Sequence, residues 1–424
     1  MSRLFEKVSL SDAVGRLRPG MKVLLPAGCG DPAALLAEIL RQADRLAPLT
    51  LMGGLRVDDC PFAAAEYAGK LRFATWHHSP KLAQAHARGD VDFVPIRYFD
   101  TVGVFVEGGA WAPDAVVVHV SPADRAGYLS LGVSVSYSLA AARRAPLVIA
   151  QVNPRMPRTL GNAFLHQSQI DCLAEAEHPL AEYPPTLVGD VERSIARRVA
   201  DLVPDGSTVQ VGVGSIPQAV MEALGVKRDL GVHSLLVDHM LPLIESGVIN
   251  NSRKRLHRGR MDVGEIMGTE RLFRWADDNP MVNMEPSDIV HDPQVVATLG
   301  DFVSVNSAIE VDLLGQVNAE SLEGRQVTGI GGHFDFVLGA SQASGGRSVI
   351  ALPSTGRQGK ASRIVARLPA GARVTTPRFL TDYVVTEWGT AALRGQSDAG
   401  RARELCRVAH PAFRESLERE AATS

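Results

Sequence analysis

The hydrophobic positions fall in short runs, several residues long, separated by glycine and proline rather than by strict polar alternation. Lys22–Leu25, Leu49–Met52, Phe73–Trp76, Phe93–Pro95, Ala115–Val120 and Leu147–Val152 read as strands in the first half. Thr208–Val211, Gly231–His233, Val303–Asn306, Ser348–Leu352, Arg373–Thr375 and Tyr383–Thr386 read the same way in the second. Runs apolar on both sides of the pleat suit strands covered on both faces, hence largely parallel sheets with helices on each side. Between them lie helical patterns at residues 1–20 (Ser9 or Ser11 as cap, Pro19-Gly20 as stop), Ala33–Ala43, Val191–Leu202 and the charged tail after Ala399.

One grammar occurs twice. Thr208–Val211 runs into Gly212-Val-Gly-Ser-Ile-Pro217 and a helix from Gln218; Lys22–Leu25 runs into Ala27-Gly-Cys-Gly-Asp-Pro32 and a helix from Ala33. Gly20, Val23, Gly30 and Pro32 correspond to Gly206, Val209, Gly214 and Pro217, and the turn at Gly127 to the turn at Gly315. The expectation is α/β: two similar open, mostly parallel-sheet domains at residues 1–188 and 189–424, joined by the proline-rich, acidic stretch Glu175–Val188.

A glycine turn between strand and helix lets a ligand approach the backbone and points free N–H groups at an anion. Gly212–Ile216 has neither the lysine of a P-loop nor the third glycine of a dinucleotide fingerprint. Gly329-Ile-Gly-Gly332 is a second such loop, with a plain tight turn as the competing reading. Glu310 is a candidate acid, or else a hydrogen-bonded structural carboxylate between Val311 and Leu313. His77, His78 and His119 have no partners at metal-ligand spacing and suit packing roles, so no metal is expected. Ser215 lies in no GxSxG elbow.

Composition narrows the class. The 424 residues suit two domains, and 45% hydrophobic content with 39 glycines describes a globular chain rich in tight turns. A formal charge of −3 without long charge runs favours neither nucleic acid nor membrane. Four scattered cysteines without a CxxC pair, and an N-terminal MSRLFEKVSL lacking an apolar core, point to a cytoplasmic protein.

Taken together, AGCGDPAALL, DAVVVHVSPADRAGYLSLGVSVSYSLAAA, GVGSIPQAV, KRDLGVHS, ESGVINNSRK, FVSVNSAIEVDLLGQVNAES, GIGGHFDFVLGAS, IALPST and DYVVTEWGTAALRG resemble the acetyl-CoA hydrolase/transferase family. That family is similar in fold to class I CoA-transferases, and the pattern is nearest the 4-hydroxybutyrate CoA-transferases. The resemblance implies an active site between two open α/β domains, acyl-CoA with or without a carboxylic acid as substrate, and a homodimer. It assigns the CoA cradle to Gly212, Val213, Gly214, Ser215, Ile216, Asn306, Gly331 and Gly332.

Family members form a glutamyl-CoA thioester on the glutamate of His-Thr-Glu-Met-x-Ser-Asp-Gly. The matching stretch here is His233-Ser-Leu-Leu-Val-Asp-His-Met240, which puts Leu235 at the nucleophile's place. His239 and Met240 replace the motif's Asp and Gly, and His291 falls where the family has an oxyanion-stabilising asparagine. Leucine cannot form a thioester. Three readings follow, of which the first, non-transferase chemistry on a CoA thioester, is the one expected and the others are alternatives. In the first, His239 or His291 is a general base for hydrolysis or an enolate-type reaction, with the Gly331 and Gly332 N–H groups at the oxyanion. In the second, Asp238 or Glu310 replaces the nucleophile of an ordinary transferase. The third is a catalytically inactive CoA-binding subunit. Leu235, Leu236 and Met240 make the acyl end more apolar than a carboxylate-bearing one, which hints at a bulkier acyl chain.

Overall fold

The computed structural model describes residues 6–107 and 109–422, and the chain divides into two compact units. Unit 1 comprises residues 1–184, 234–238 and 261–290; unit 2 comprises residues 185–233, 239–260 and 291–424. The change at 184/185 falls inside the proline-rich stretch, but the domains are not contiguous as the division at 188/189 supposed. Two excursions from the second half belong to unit 1. The second is held there by two bridges, Ser134 to Glu265 and Gly161 to Met284, and the first by its place beside the strand Met261–Met267.

Unit 1 is built on β1 (Glu6–Lys7), β2 (Lys22–Leu24), β3 (Leu49–Gly53), β4 (Leu71–Thr75), β5 (Val91–Phe93), β6 (Ala115–Val120), β7 (Leu147–Val152) and β8 (Cys172–Glu175). Their order is β1-β8-β7-β6-β2-β3-β4-β5, with every pair parallel. All six residues of β6 are buried, as expected of a strand covered on both faces. Unit 2 holds β9 (Thr208–Val211), also buried throughout, and the first three residues of β10 (Gly231–Val237). The rest of β10 passes into unit 1, where it neighbours β11 (Met261–Met267), which pairs in parallel with β12 (Val282–Met284). Unit 2 continues with β13 (Phe302–Ser307), β14 (Arg347–Ala351) and β15 (Tyr383–Thr386). These run parallel outward from β9, and an antiparallel β16 (Gly389–Ala392) closes the edge.

The corresponding glycines take corresponding shapes. Gly20 and Gly206 have φ of +84° and +81°, and Gly127 and Gly315 have +84° and +90°. Only glycine holds such values without strain, so the echoes in the sequence are echoes of turn geometry. Two expectations differ from the structure. The first helix is short, α1 (Leu10–Gly15), capped by Ser9, and part of the predicted 1–20 helix lies outside the described residues. Arg373–Thr375 forms no strand; an isolated bridge, Thr376 to Val317, lies one residue beyond it and is not continued into a ladder. No helix among the described residues is long and apolar enough to cross a membrane.

Tyr137 ties the carboxyl ends of unit 1's central strands together. Its hydroxyl donates to the Leu25 carbonyl at 2.9 Å and accepts from the Gly54 N–H at 3.1 Å, with no exposure to solvent. Tyr137→Phe leaves a buried N–H and carbonyl without partners. It should cost about 1–3 kcal/mol, read as a lower urea midpoint at unchanged slope.

Candidate functional site

Parallel strands leave their chemistry at the carboxyl edge, where unspent N–H groups and helix N-termini collect. In unit 2, β9 ends at Val211 and the chain turns through Gly212, Val213 and Gly214 into α2 (Ser215–Ala223). Gly214 has φ +114° and ψ −178°, a conformation that L side chains rarely adopt, and it caps the helix. A Cβ placed on Gly212, Gly214 or Gly331 would meet nothing within 4 Å. Ser215 is half-buried, whereas Ile216 is buried and anchors the helix inward. The register pairs Val211 with Val305, so Asn306 stands at the level of Gly212, and its buried Nδ2 has no hydrogen-bond partner. Open backbone, a helix N-terminus and an unspent amide donor therefore meet at one edge of one unit. That arrangement suits an anionic, extended ligand.

Gly331, at φ +56°, and Gly332 lead into α3 (His333–Gln342). Gly332 is tightly packed: a Cβ there would lie 2.5 Å from His291 Cε1 and 2.6 Å from Phe336 Cε2. The His291 ring lies 4.7 Å from that of Phe336, with its Nδ1 3.8 Å from Asp335 Oδ2. Burial, with His233 adding to it, holds His291 down to about 3. His239 is half-buried, its Nε2 lacks a partner, and burial holds it at about 4. Neither imidazole titrates near neutrality, contrary to the expectation for a general base. His333 bonds Thr376 Oγ1 through Nε2 at 2.9 Å, and burial sets it at about 4.

The carboxylate candidates are both engaged. Asp238 Oδ2 accepts the Thr269 N–H at 2.6 Å, and its Oδ1 accepts the Thr269 hydroxyl at 2.8 Å. A Cβ on Gly268 would collide with that carboxylate. Glu310, in a small sheet pairing with Asn318, accepts the Asn318 amide at 3.3 Å. His78 bonds His86 at 3.1 Å, and His119 Nε2 faces the amides of Gln151 and Asn153.

One buried acid was missed in the sequence. Glu265 is half-buried as a residue, but both carboxyl oxygens are sealed and without a partner at hydrogen-bonding geometry. Burial pushes it well above the usual glutamate range, against the opposing Ser134 and Ser136 hydroxyls beside it. Two acids, Asp262 and Glu265, within the short strand run Met261–Met267 were the available signal.

Sheet order and edge loops define the class: two α/β units with mostly parallel sheets, of the CoA-transferase type. Residues 3–182 match the acetyl-CoA hydrolase/transferase N-terminal domain and residues 268–421 the C-terminal domain. The chain is 40% identical to the 4-hydroxybutyrate coenzyme A transferase of Clostridium kluyveri, over 97% of this chain and 96% of that one. It is 38% identical to the succinyl-CoA:cyclohexane-1-carboxylate CoA transferase of Geobacter metallireducens, over 96% and 92%. The crystal structure of RipA from Yersinia pestis superposes with a TM-score of 0.93 at 33% identity, covering 99% of this chain and 97% of that one. The chain belongs to the acetyl-CoA hydrolase/transferase family and is an enzyme of that family.

The buried histidines carry a prediction. The folded pKa of His291, about 3, lies below its unfolded value of 6.5, so the unfolded chain binds more protons between them. Stability is complete above pH 6.5 and falls as pH drops toward 3. His291→Asn should flatten that acid limb, measured as urea midpoint against pH.

Proposed function

We propose that this chain binds an acyl-CoA at the carboxyl edge of unit 2 and acts on its thioester without using residue 235 as nucleophile. The observation that carries the reading is the open cradle of Gly212, Gly214 and Gly331 beside the unspent amide of Asn306. The positive end of α2 suits a phosphate there. Leu235 is half-buried in β10 and offers no group that could become an acyl anhydride or thioester.

Hydrolysis or an enolate-type reaction needs a base. A neutral imidazole held at about 3 or 4 takes a proton against a steep gradient, so His291 and His239 fit that role poorly. This favours exchange of CoA between an acyl-CoA and a carboxylic acid through another carboxyl group, and the transferase names of the relatives agree with it. The reading takes the chain as a cytoplasmic homodimer working without a metal, on the family resemblance.

Incubation with butyryl-CoA separates the possibilities. Exchange of labelled acetate into acyl-CoA marks transfer, and thiol release without added acid marks hydrolysis. Neither, alongside measurable CoA binding, marks an inactive CoA-binding subunit. Gly214→Trp should weaken CoA binding at least tenfold by calorimetry; parental affinity would remove the cradle from this loop.

A further inference from the structure

Strands β10 and β11 are hydrogen-bonded neighbours of seven residues each, and their burial runs in the same sequence. Every position is buried except the fifth, which is Leu235 in one and Glu265 in the other. Asp238 is the first residue beyond β10 and Gly268 the first beyond β11. The Asp238 carboxylate packs on Gly268 and holds both Thr269 donors, so the two strands end level. Leu235 and Glu265 each lie three residues back from those ends. They therefore stand at the same height on neighbouring strands, across a spacing of about 4.8 Å. A glutamate side chain bridges such a gap.

We propose that Glu265 is the acyl-accepting carboxylate of this chain, displaced by one strand from the family's glutamate. The assignment rests on the acyl-CoA reading above. It gives a role to the second acid of β11; the first, Asp262, accepts the Asn283 amide at 2.7 Å. Burying a carboxyl with only the Ser134 and Ser136 hydroxyls beside it is a cost that an aliphatic residue would avoid. Gly28 lies against it: a Cβ there would be in van der Waals contact with Glu265 Oε2, at 3.6 Å. Three titratable groups face it, the Cys29 thiol and the Tyr98 and Tyr137 hydroxyls. Burial raises all three, so each is neutral at pH 7. Arg56 and Asp31 lie beyond Tyr137.

The chemistry balances without a further reactant. The sealed Glu265 carboxyl must first be uncovered, and it then releases its proton to solvent. Its carboxylate oxygen then attacks the thioester carbonyl carbon, the C–S bond breaks, and CoA leaves as thiolate with the electron pair. The mixed anhydride is attacked at the glutamyl carbonyl by that thiolate. The anhydride C–O bond breaks, the acyl carboxylate departs, and a glutamyl thioester remains. A second acid runs the sequence in reverse.

The test uses the full chain with butyryl-CoA and acetate, borohydride reduction and peptide mapping. Reduction should fall on Glu265, and Glu265→Gln should lower exchange about a thousandfold or more with CoA affinity unchanged. The parent's rate should climb with pH beyond the ordinary glutamate range, a profile that a merely structural residue would not impose. Reduction at any other residue, or exchange by Glu265→Gln within tenfold of the parent, overturns the assignment. If Glu265→Gln loses CoA binding, the peptide map of the parent decides alone. A parent that binds CoA yet exchanges nothing overturns the nucleophile and leaves the cradle standing. A parent that binds no CoA overturns the acyl-CoA reading itself.

Discussion

Two-sided burial of parallel strands is the constraint on which the rest of the molecule depends. A strand such as Ala115–Val120, buried at every position, has no polar face on which to carry function. Its hydrogen bonds are spent on its neighbours, and only where the ladder stops do N–H groups and helix ends become available. Both units accordingly place a glycine-rich turn and a helix just beyond a central strand, at Ala27–Pro32 and at Gly212–Pro217. The chemistry of each unit is an edge property.

The same burial sets charge states. Imidazoles inside these layers are held neutral: His119 and His291 near 3, and His77, His239 and His333 near 4. Carboxyl groups move the other way unless something offsets the cost. Asp31 does so partially, paired at 2.7 Å with a buried Arg56; burial still raises it to about 6. Glu265 has only two serine hydroxyls beside it and rises further from its ordinary range. A desolvated carboxylate, once ionised, is poorly stabilised by its surroundings and correspondingly ready to bond to an electrophile.

Much of this fold was legible because the apolar runs are bounded by glycine and proline, which mark where strands stop whatever the tertiary context. Arg373–Thr375 misled because propensity does not supply a partner strand. The return of residues 234–238 and 261–290 to unit 1 could not be seen in composition, since it depends on pairings such as Ser134 with Glu265, far apart in the chain. The site divides in the same way. Gly212 and Gly214 announce a turn by their own chemistry. Asp238 looked like a spare carboxylate because Thr269, which engages both its oxygens, lies 31 residues on. Glu265 carried no local signal beyond its charge, and its meaning comes from the strand next to it.

On the proposed reading, sheet geometry explains why a nucleophile absent from position 235 is better replaced across strands than along one. Successive side chains in a strand point to opposite faces, so a shift of one or three residues from position 235 turns the group away from its ligand. Asp238, three residues on, already lies beyond the strand, and its carboxylate is committed to Thr269. A shift of two residues keeps the face but moves the group by about 6.6 Å along the strand, toward Val237. A step to the neighbouring strand keeps both face and height and displaces the side chain by about 4.8 Å, the smallest move that a sheet permits. In β10 and β11 that step leads from Leu235 to Glu265, and the level ends fixed by Asp238 keep the two positions in register.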